Sequence, residues 1–329
     1  MSDQSMTVAV TGATGFVGHH VVRELLAHGH SVRALVRTPG KATEAFKDAP
    51  NRDKLTLVQA ESVSEDSASR LVEGADACVN CIGIIREQQG QRFDFLHVRV
   101  PELLTKACRS HGVDRFVQIS ALGADPDGRA EYQKSKYAGE KAVRRSGIDW
   151  TIFRPSLIHG ADGEFIGMVR DWTLGRAAPR FFIPYFAKIE LKQRPVPHPA
   201  MVSAKVAPVG VDDVARAIVN AMERPEARGE VYPLCGPETL DWPELLAAVR
   251  DAVPLNDSKK RILPIPAIKG VMAARAAEAV GLGEMLPFGP SEPVMAAEDS
   301  VCSVAKAEAH LDFSGVGFRE ALASYRDQI

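Results

Sequence analysis

The chain has 329 residues, enough for one large domain or a large domain with a smaller appendage. Hydrophobic residues make up 45%, charged residues 25%, and the formal net charge is −2, so no global basic field exists to attract nucleic acid or anionic lipid. Five cysteines, odd in number and widely spread, argue against a disulfide framework. The opening MSDQSMTVAV carries an acid and no long apolar core, and other apolar stretches fall short of the ~18–20 residues of a spanning helix. A cytoplasmic location is the default expectation.

In chain order, TVAVT (7–11), SVRALV (31–36), LTLVQ (55–59), DACVNCI (76–82), RFVQIS (115–120) and DWTIF (149–153) read as buried strands. Amphipathic helices lie between them: Val17, Val21, Val22, Leu25 and Leu26 share one face, as do Phe95, Leu96, Val100, Leu103, Leu104 and Ala107. Strand and helix in alternation predict an α/β fold, a doubly wound parallel sheet with helices on both faces. Beyond Phe153 the prolines and mixed charges of residues 160–208 suit an irregular insertion over a ligand cleft. The α/β pattern returns at GVDDVARAIVNAME (210–223), where Asp212 or Asp213 can cap a helix, and at EVYPLC (230–235), a late strand. From Gly236 onward short helices alternate with loops such as RILPIPA (261–267) and EMLPFGPSEP (284–293). The expected division is a nucleotide-binding domain at 1–165 plus 208–235 and a smaller, mostly helical C-terminal lobe at 166–207 plus 236–329.

Cys78 and Cys81 form a CxxC, but odd spacing on a strand sends the two side chains to opposite faces, and no second CxxC or histidine cluster is nearby. They read as structural, and no metal site is expected.

The stretch TGATGFVG (11–18) places three glycines where a strand gives way to a helix. Gly12 permits the tight turn, Gly15 lets backbone approach a pyrophosphate, and Gly18 lets the helix pack closely on the strand. The anion would sit on N–H groups from Thr14 through Phe16 and Val17, favoured by the helix dipole. At the end of the second strand, where a carboxylate would bond an adenosine ribose, the chain has Arg37, with Arg33 inside the strand. A guanidinium there suits a 2′-phosphate, so NADP(H) is preferred and NAD(H) is possible.

The candidate chemistry lies in QISALGADPDGRAEYQKSKYAGEKAV (118–143). Ser120 ends the fifth strand at the carboxyl edge of the sheet, where such folds place their ligands. Tyr132 and Lys136, four apart on the next helix, project from one face. A nearby ammonium lowers a tyrosine pKa, so Tyr132 can exchange a proton with a carbonyl or alcohol while a nicotinamide moves hydride. Ser120 would bond the same oxygen, and Lys136 would also hold the nicotinamide ribose. A second YxxxK, Tyr137 with Lys141, is rotated by about 140° and cannot share that face; Tyr132 is chosen because it stands nearer the strand edge.

With glycine turn, strand-edge serine and YxxxK in order, the chain resembles the short-chain dehydrogenase/reductase superfamily, and its atypical members most closely. VNCIGIIREQQGQRFDFLHVRVPELLTKACRSHGVDRFVQISALGADP, SKYAGEKAV and TIFRPSLIHG resemble the group containing the NADPH-binding accessory subunit of respiratory complex I. The resemblance covers nearly all of residues 6–235. It implies that Ile82 and Gly83 lie near the adenosine, and that Pro155 and Ser156 lie against the nicotinamide carboxamide. Glu61 and Ser62 stand where members usually have an Asp and an apolar residue beside the adenine, which puts that contact in doubt.

Two functions of different class follow. One is an NADP(H)-dependent reductase, epimerase or dehydratase working on a carbonyl/alcohol substrate between sheet edge and lobe. The other is a non-catalytic NADPH binder serving stability, sensing or a larger assembly with a protein partner. The basic runs KSK (134–136), RR (144–145) and KKR (259–261) are short and read as solvated faces, so no nucleic acid partner is expected. His159 in LIHG can face a substrate but suits a structural role, and His19 and His20 receive no chemistry. FFIPYF (181–186) reads equally as a greasy wall, a partner surface or a membrane-proximal patch.

Overall fold

In the computed structural model, which describes residues 5–88, 90–193, 197–254 and 260–329, the apolar runs of the first half form parallel strands. β1 (Thr7–Thr11), β2 (Ser31–Val36) and β3 (Leu55–Gln59) have the expected bounds. β4 (Ala77–Asn80) is shorter at both ends, β5 (Arg115–Ile119) stops before Ser120, and β6 (Asp149–Pro155) runs on through Arg154. The late strand forms at Glu230–Leu234 and joins β6, giving a seven-stranded parallel sheet in the order (Glu230–Leu234)-β6-β5-β4-β1-β2-β3.

Side-chain alternation dictates the layers: Val8 and Val10 enter one core and Ala9 the other. On the first face pack α1 (Phe16–Ala27) through Leu25 and Leu26, the short α2 (Pro39–Ala45) through Ala42, and, from later in the chain, Ile218 and Val219. The second face is covered by α3 (Glu65–Val72), α4 (Val100–Ser110) and α5 (Glu131–Arg144) through Leu71, Leu104 and Val143. Leu25 has no exposed surface, and truncating such a leucine costs about 2–5 kcal/mol. The chain steps outward from β1 to β3, then crosses back to lay β4 on the other side of β1. That reversal opens a crevice at the carboxyl ends of β1 and β4.

The segment 160–208 departs from the expected irregular insertion. It contains α6 (Glu164–Leu174) and a strand, Phe182–Lys192, hairpin-paired with His198–Val202, while residues 194–196 lie outside the described set. RILPIPA is likewise no loop: Arg261–Pro266 pairs parallel with Phe182–Ala187. α6 buries Ile166, Val169 and Trp172 against Leu245, Leu246, Val249 and Phe318, forming a third core. The remainder is mostly helical, and EMLPFGPSEP runs from a single turn at Gly283–Met285 to a helix beginning at Ser291.

Two further expectations are corrected. α7 (Val211–Glu223) is capped by the backbone at Gly210 and not by Asp212 or Asp213, which lie in its first turn. Asp213 instead accepts from the Val316 amide at 3.0 Å. Among the cysteines, Cys235 and Cys302 form a disulfide that fastens the end of the strand Glu230–Leu234 to the C-terminal region. Cys78 and Cys81 are free, and they enter opposite cores.

Candidate functional site

At the head of the crevice the glycine turn is sterically determined. Gly12 has φ +67°, and a Cβ there would lie 2.9 Å from the Cys81 carbonyl carbon, just beyond β4. A Cβ on Gly18 would lie 2.1 Å from the Gly12 oxygen, so only glycine lets α1 begin this close to β1. Gly15 forms the N-cap, no side chain caps it, and the first turn carries no acid. Thr14 and Gly15 are exposed, with Phe16 and Val17 half-buried behind them. These are the conditions under which a helix start accepts an anion. The Phe16 ring is approached closely by Gly160 and Gly163, where an added Cβ would lie 3.1 and 2.9 Å from it.

Beneath the crevice runs a polar ladder that the sequence reading missed. Thr11 Oγ1 donates to Asn80 Oδ1 at 2.6 Å, and Asn80 Nδ2 donates to Gln118 Oε1 at 3.0 Å, all buried. Asn80 Oδ1 also accepts from the Ile82 amide at 3.2 Å. The ladder fixes the ends of β1, β4 and β5 relative to one another, and with them the positions of Ile82 and Gly83. A polar residue at the end of each of three neighbouring strands was the available signal.

Lys136 reaches this floor from α5. Its Nζ donates to the Ile119 carbonyl at 3.4 Å, and a Cβ on Gly83 would meet that nitrogen at 2.8 Å. Tyr132 lies on the same helical face, with Lys136 Nζ 5.8 Å from its ring centroid. Lys141 of the alternative pair is exposed, so the first YxxxK is the one turned to the sheet. The expected depression of the Tyr132 pKa does not appear: burial pushes the phenol up. Burial also brings the Lys136 ammonium down to about 8, against the pull of Glu140.

Ser120 is placed beside this pair, yet its hydroxyl donates to Glu140 Oε1 at 2.6 Å. Arg154 clasps the same carboxylate with two bonds of 2.7 Å, and Arg144 adds one of 2.9 Å. Ser120 is expected to bond a substrate oxygen; with its hydroxyl hydrogen committed to Glu140, its lone pairs remain for that bond. Glu140 and Arg154 escaped the sequence reading because the contact joins α5 to β6.

His97 was also missed. Its Nε2 accepts from the Ile84 amide at 3.2 Å, so Nδ1 carries the proton and bonds Ser135 Oγ at 2.9 Å. Burial, followed by the Lys136 charge, holds its pKa down at about 2. A neutral imidazole thus packs edge-on against Tyr132, with centroids 5.7 Å apart.

The remaining candidates lie outside this cluster. Arg37, just past β2, is exposed and pairs with no acid among the described residues. Arg33 points elsewhere, bonding the Arg70 and Leu71 carbonyls at the end of α3. Glu61 and Ser62 are exposed just past β3, on the side of Arg37, since Ala60 donates to the Val36 carbonyl. The Pro155 carbonyl accepts from the Leu122 amide at 2.8 Å, and the Ser156 hydroxyl donates to the Ala207 carbonyl. His159 is buried, bonds Tyr325 Oη at 3.0 Å and packs against Phe318; it belongs to the core.

Comparison with known proteins supports a nicotinamide cofactor. Residues 12–171 match the NAD(P)H-binding family. Over 238 residues the chain is 29% identical to the mitochondrial NADH dehydrogenase [ubiquinone] 1 alpha subcomplex subunit 9 of Rattus norvegicus, covering 72% of this chain and 58% of that protein. The chain therefore spans less than two thirds of that relative's length. It is 26% identical to the ceramide reductase of Caulobacter vibrioides over 84% of this chain and 78% of that enzyme. The UDP-glucuronic acid 4-epimerase of Bacillus cereus has the same fold, with a TM-score of 0.69 and 16% identity over 98% of each chain. In sequence and fold the chain thus resembles the atypical short-chain dehydrogenases/reductases.

Among the described residues no helix is long and apolar enough to cross a membrane.

Proposed function

We propose that the chain is an NADP(H)-dependent oxidoreductase or epimerase/dehydratase acting on a carbonyl/alcohol pair in the crevice between the sheet edge and the C-terminal lobe. The observation that carries this reading is the convergence of three elements. Gly12 backs onto the end of β4, Gly83 just beyond it abuts Lys136 Nζ, and Lys136 shares a face with Tyr132. The uncapped start of α1 and the glycine cradle fit a dinucleotide diphosphate. A nicotinamide bound there would supply or accept the hydride.

The chain's own residues do the rest. Tyr132, whose pKa burial raises, holds its proton at neutral pH and delivers it to a carbonyl oxygen. Lys136 stabilises the phenolate left behind and offers N–H groups to a ribose. Ser120, its hydroxyl donating to Glu140, accepts a hydrogen bond from the alcohol. Arg37, with no acid paired to it among the described residues, meets a 2′-phosphate, so NADP(H) is the proposed cofactor over NAD(H).

The second reading, a non-catalytic NADPH binder resembling the complex I subunit, draws on the commitment of the Ser120 proton to Glu140, which leaves the site one donor short. Titration with NADPH and NADH, followed by a turnover screen on carbonyl compounds and nucleotide sugars, separates the two. The enzyme reading expects turnover that Tyr132→Phe lowers by about 10²-fold or more with cofactor binding intact. Tight NADPH binding without turnover throughout the screen supports the binder. Unchanged cofactor preference in Arg37→Ala would remove the argument for NADP(H).

A further inference from the structure

One end of the crevice is crossed by a strap that the proposed reaction does not use. Residues 297–304 run between the helices Ser291–Ala296 and Ala305–Leu311. At the near end the Glu298 carboxylate accepts from Gln133 Nε2 at 2.8 Å, and Gln133 is the residue after Tyr132 on α5. In the middle Ser300 bridges to Val206: its amide donates to the Lys205 carbonyl at 2.7 Å, and its carbonyl accepts from the Ala207 amide at 2.9 Å. At the far end Cys302 is bonded to Cys235, one residue past the strand Glu230–Leu234. In the sheet β6 lies between β5, which leads to α5, and Glu230–Leu234. The strap therefore passes the carboxyl end of β6, where Ser156 stands.

The disulfide is placed to control that strap. The Ser156 amide donates to the Leu234 carbonyl at 2.9 Å, and its hydroxyl donates to the Ala207 carbonyl, which also accepts from the Gly236 amide at 3.4 Å. Leu234 and Gly236 are the two chain neighbours of Cys235. The bond joins residues 67 apart, and closing so long a loop removes much chain entropy from the unfastened state. Three of the five cysteines stay free, so the pair is not part of a folding framework. Neither Cys235 nor Cys302 belongs to any of the three cores, which keep their packing when the bond opens. Cys302 is half-buried and Cys235 only 2% exposed, so a thiol from outside reaches Cys302 first. Ser120 and Lys136 are 4% and 7% exposed, so a ligand meets them only once the chain covering them shifts.

We propose that Cys235 and Cys302 form a thiol–disulfide switch, which fastens the strap over the crevice when oxidised and frees it when reduced. The reductant is a dithiol. Its thiolate attacks Cys302 Sγ to give a mixed disulfide, and Cys235 Sγ leaves as a thiolate and takes up a proton. The second thiol of the reductant then displaces Cys302 as a thiol. The reductant ends as a disulfide, and the protein has gained two electrons and two protons. The effect on a ligand rests on the reading of the crevice as a nicotinamide site; the motion of the strap does not.

The test is amide hydrogen exchange of the full chain, read by mass spectrometry in oxidised or reduced dithiothreitol, with stopped-flow NADPH fluorescence alongside. Thiol titration of the unfolded samples should count three free thiols in the first and five in the second. Reduction is expected to speed exchange at the Ser300 and Ala207 amides about tenfold or more, to leave β1 to β5 protected, and to quicken NADPH release several-fold. C235A/C302A should give the reduced values in either reagent. Reoxidised wild type should recover slow exchange, which decides the matter should the variant fail to fold. Exchange at Ser300 and Ala207 that ignores the redox state overturns the proposal, as do five free thiols under oxidant. Reduction that exposes the whole sheet overturns it too, because the bond is then a tie for the entire fold. A chain that binds no NADPH contradicts the cofactor reading alone, and the exchange rates still decide the switch.

Discussion

Ser120 Oγ lies 2.6 Å from Glu140 Oε1, inside the protein, and Arg154 grips the same carboxylate from β6 with two bonds of 2.7 Å. The Glu140 side chain has no exposed surface and the Arg154 side chain 23%. This ion pair joins the helix bearing Tyr132 and Lys136 to the strand leading into Pro155 and Ser156. The geometry of the site thus depends on a carboxylate that touches neither cofactor nor substrate in the proposed reaction.

Removing one partner of such a pair leaves the other charge uncompensated. Glu140→Leu should lower the unfolding free energy by about 3–5 kcal/mol, measured by urea denaturation, and E140L/R154M should recover much of the loss. A loss below about 1 kcal/mol in Glu140→Leu would show that the pair holds nothing in place.

The two shifted groups of the site predict the pH profile. With Tyr132 pushed above its ordinary value, carbonyl reduction proceeds at neutral pH with the phenol as acid, whereas alcohol oxidation, which needs the phenolate, rises with pH. Lys136 loses its proton near pH 8, and reduction should decline through that range as the charge beside the phenol disappears. Steady-state kcat/KM for both directions, from about pH 6 to 10, reads this out. Profiles that are flat, or that fall together, would separate Tyr132 from the proton transfer.

His20 offers a stability test away from the chemistry. Its ring lies between Asp212 at 2.6 Å and Asp162 at 3.2 Å, tying α1 to α7 and to the turn before α6. Burial opposes its charge, but hydrogen bonds to the two aspartates and their charges outweigh it and raise the pKa from 6.5 to about 9. Stability from this group is therefore full below about pH 6.5 and disappears as pH rises through about 9. The aspartates, held below 3.8, withdraw their share as pH falls below that value. Thermal unfolding of His20→Gln should fall below wild type by most near pH 6 and coincide with it by about pH 10. A constant offset across that range would mean that the imidazole acts only by packing.

How much was legible follows from the range of each interaction. The bounds of β1, β2 and β3 could be read because buried parallel strands are short apolar runs closed by turn residues, and period alone defines them. The glycine turn was legible because its constraint lies within seven residues, Gly12 to Gly18. FFIPYF and RILPIPA misled because each finds its strand partner in the other, across some eighty residues. Ser120 and Glu140 gave no local sign either: a buried carboxylate is stable only with Arg154, and that arginine comes from the next strand. The Tyr132 pKa differs for the same reason, because four-residue spacing brings the lysine near without revealing that burial of the phenol acts in the opposite direction. His97, between Tyr132 and the backbone of Ile84, is likewise visible only in three dimensions.

The central claim is that the turn at Gly12–Gly18 anchors a nicotinamide dinucleotide. Fluorescence titration of the full chain with NADPH, alongside Gly18→Ala, tests it most directly. Saturable binding by wild type is predicted, weakened about tenfold or more in Gly18→Ala, whose added methyl would have to occupy the place of the Gly12 oxygen. A wild-type chain that binds neither NADPH nor NADH, or a Gly18→Ala variant that is fully folded and binds as tightly as wild type, would contradict it.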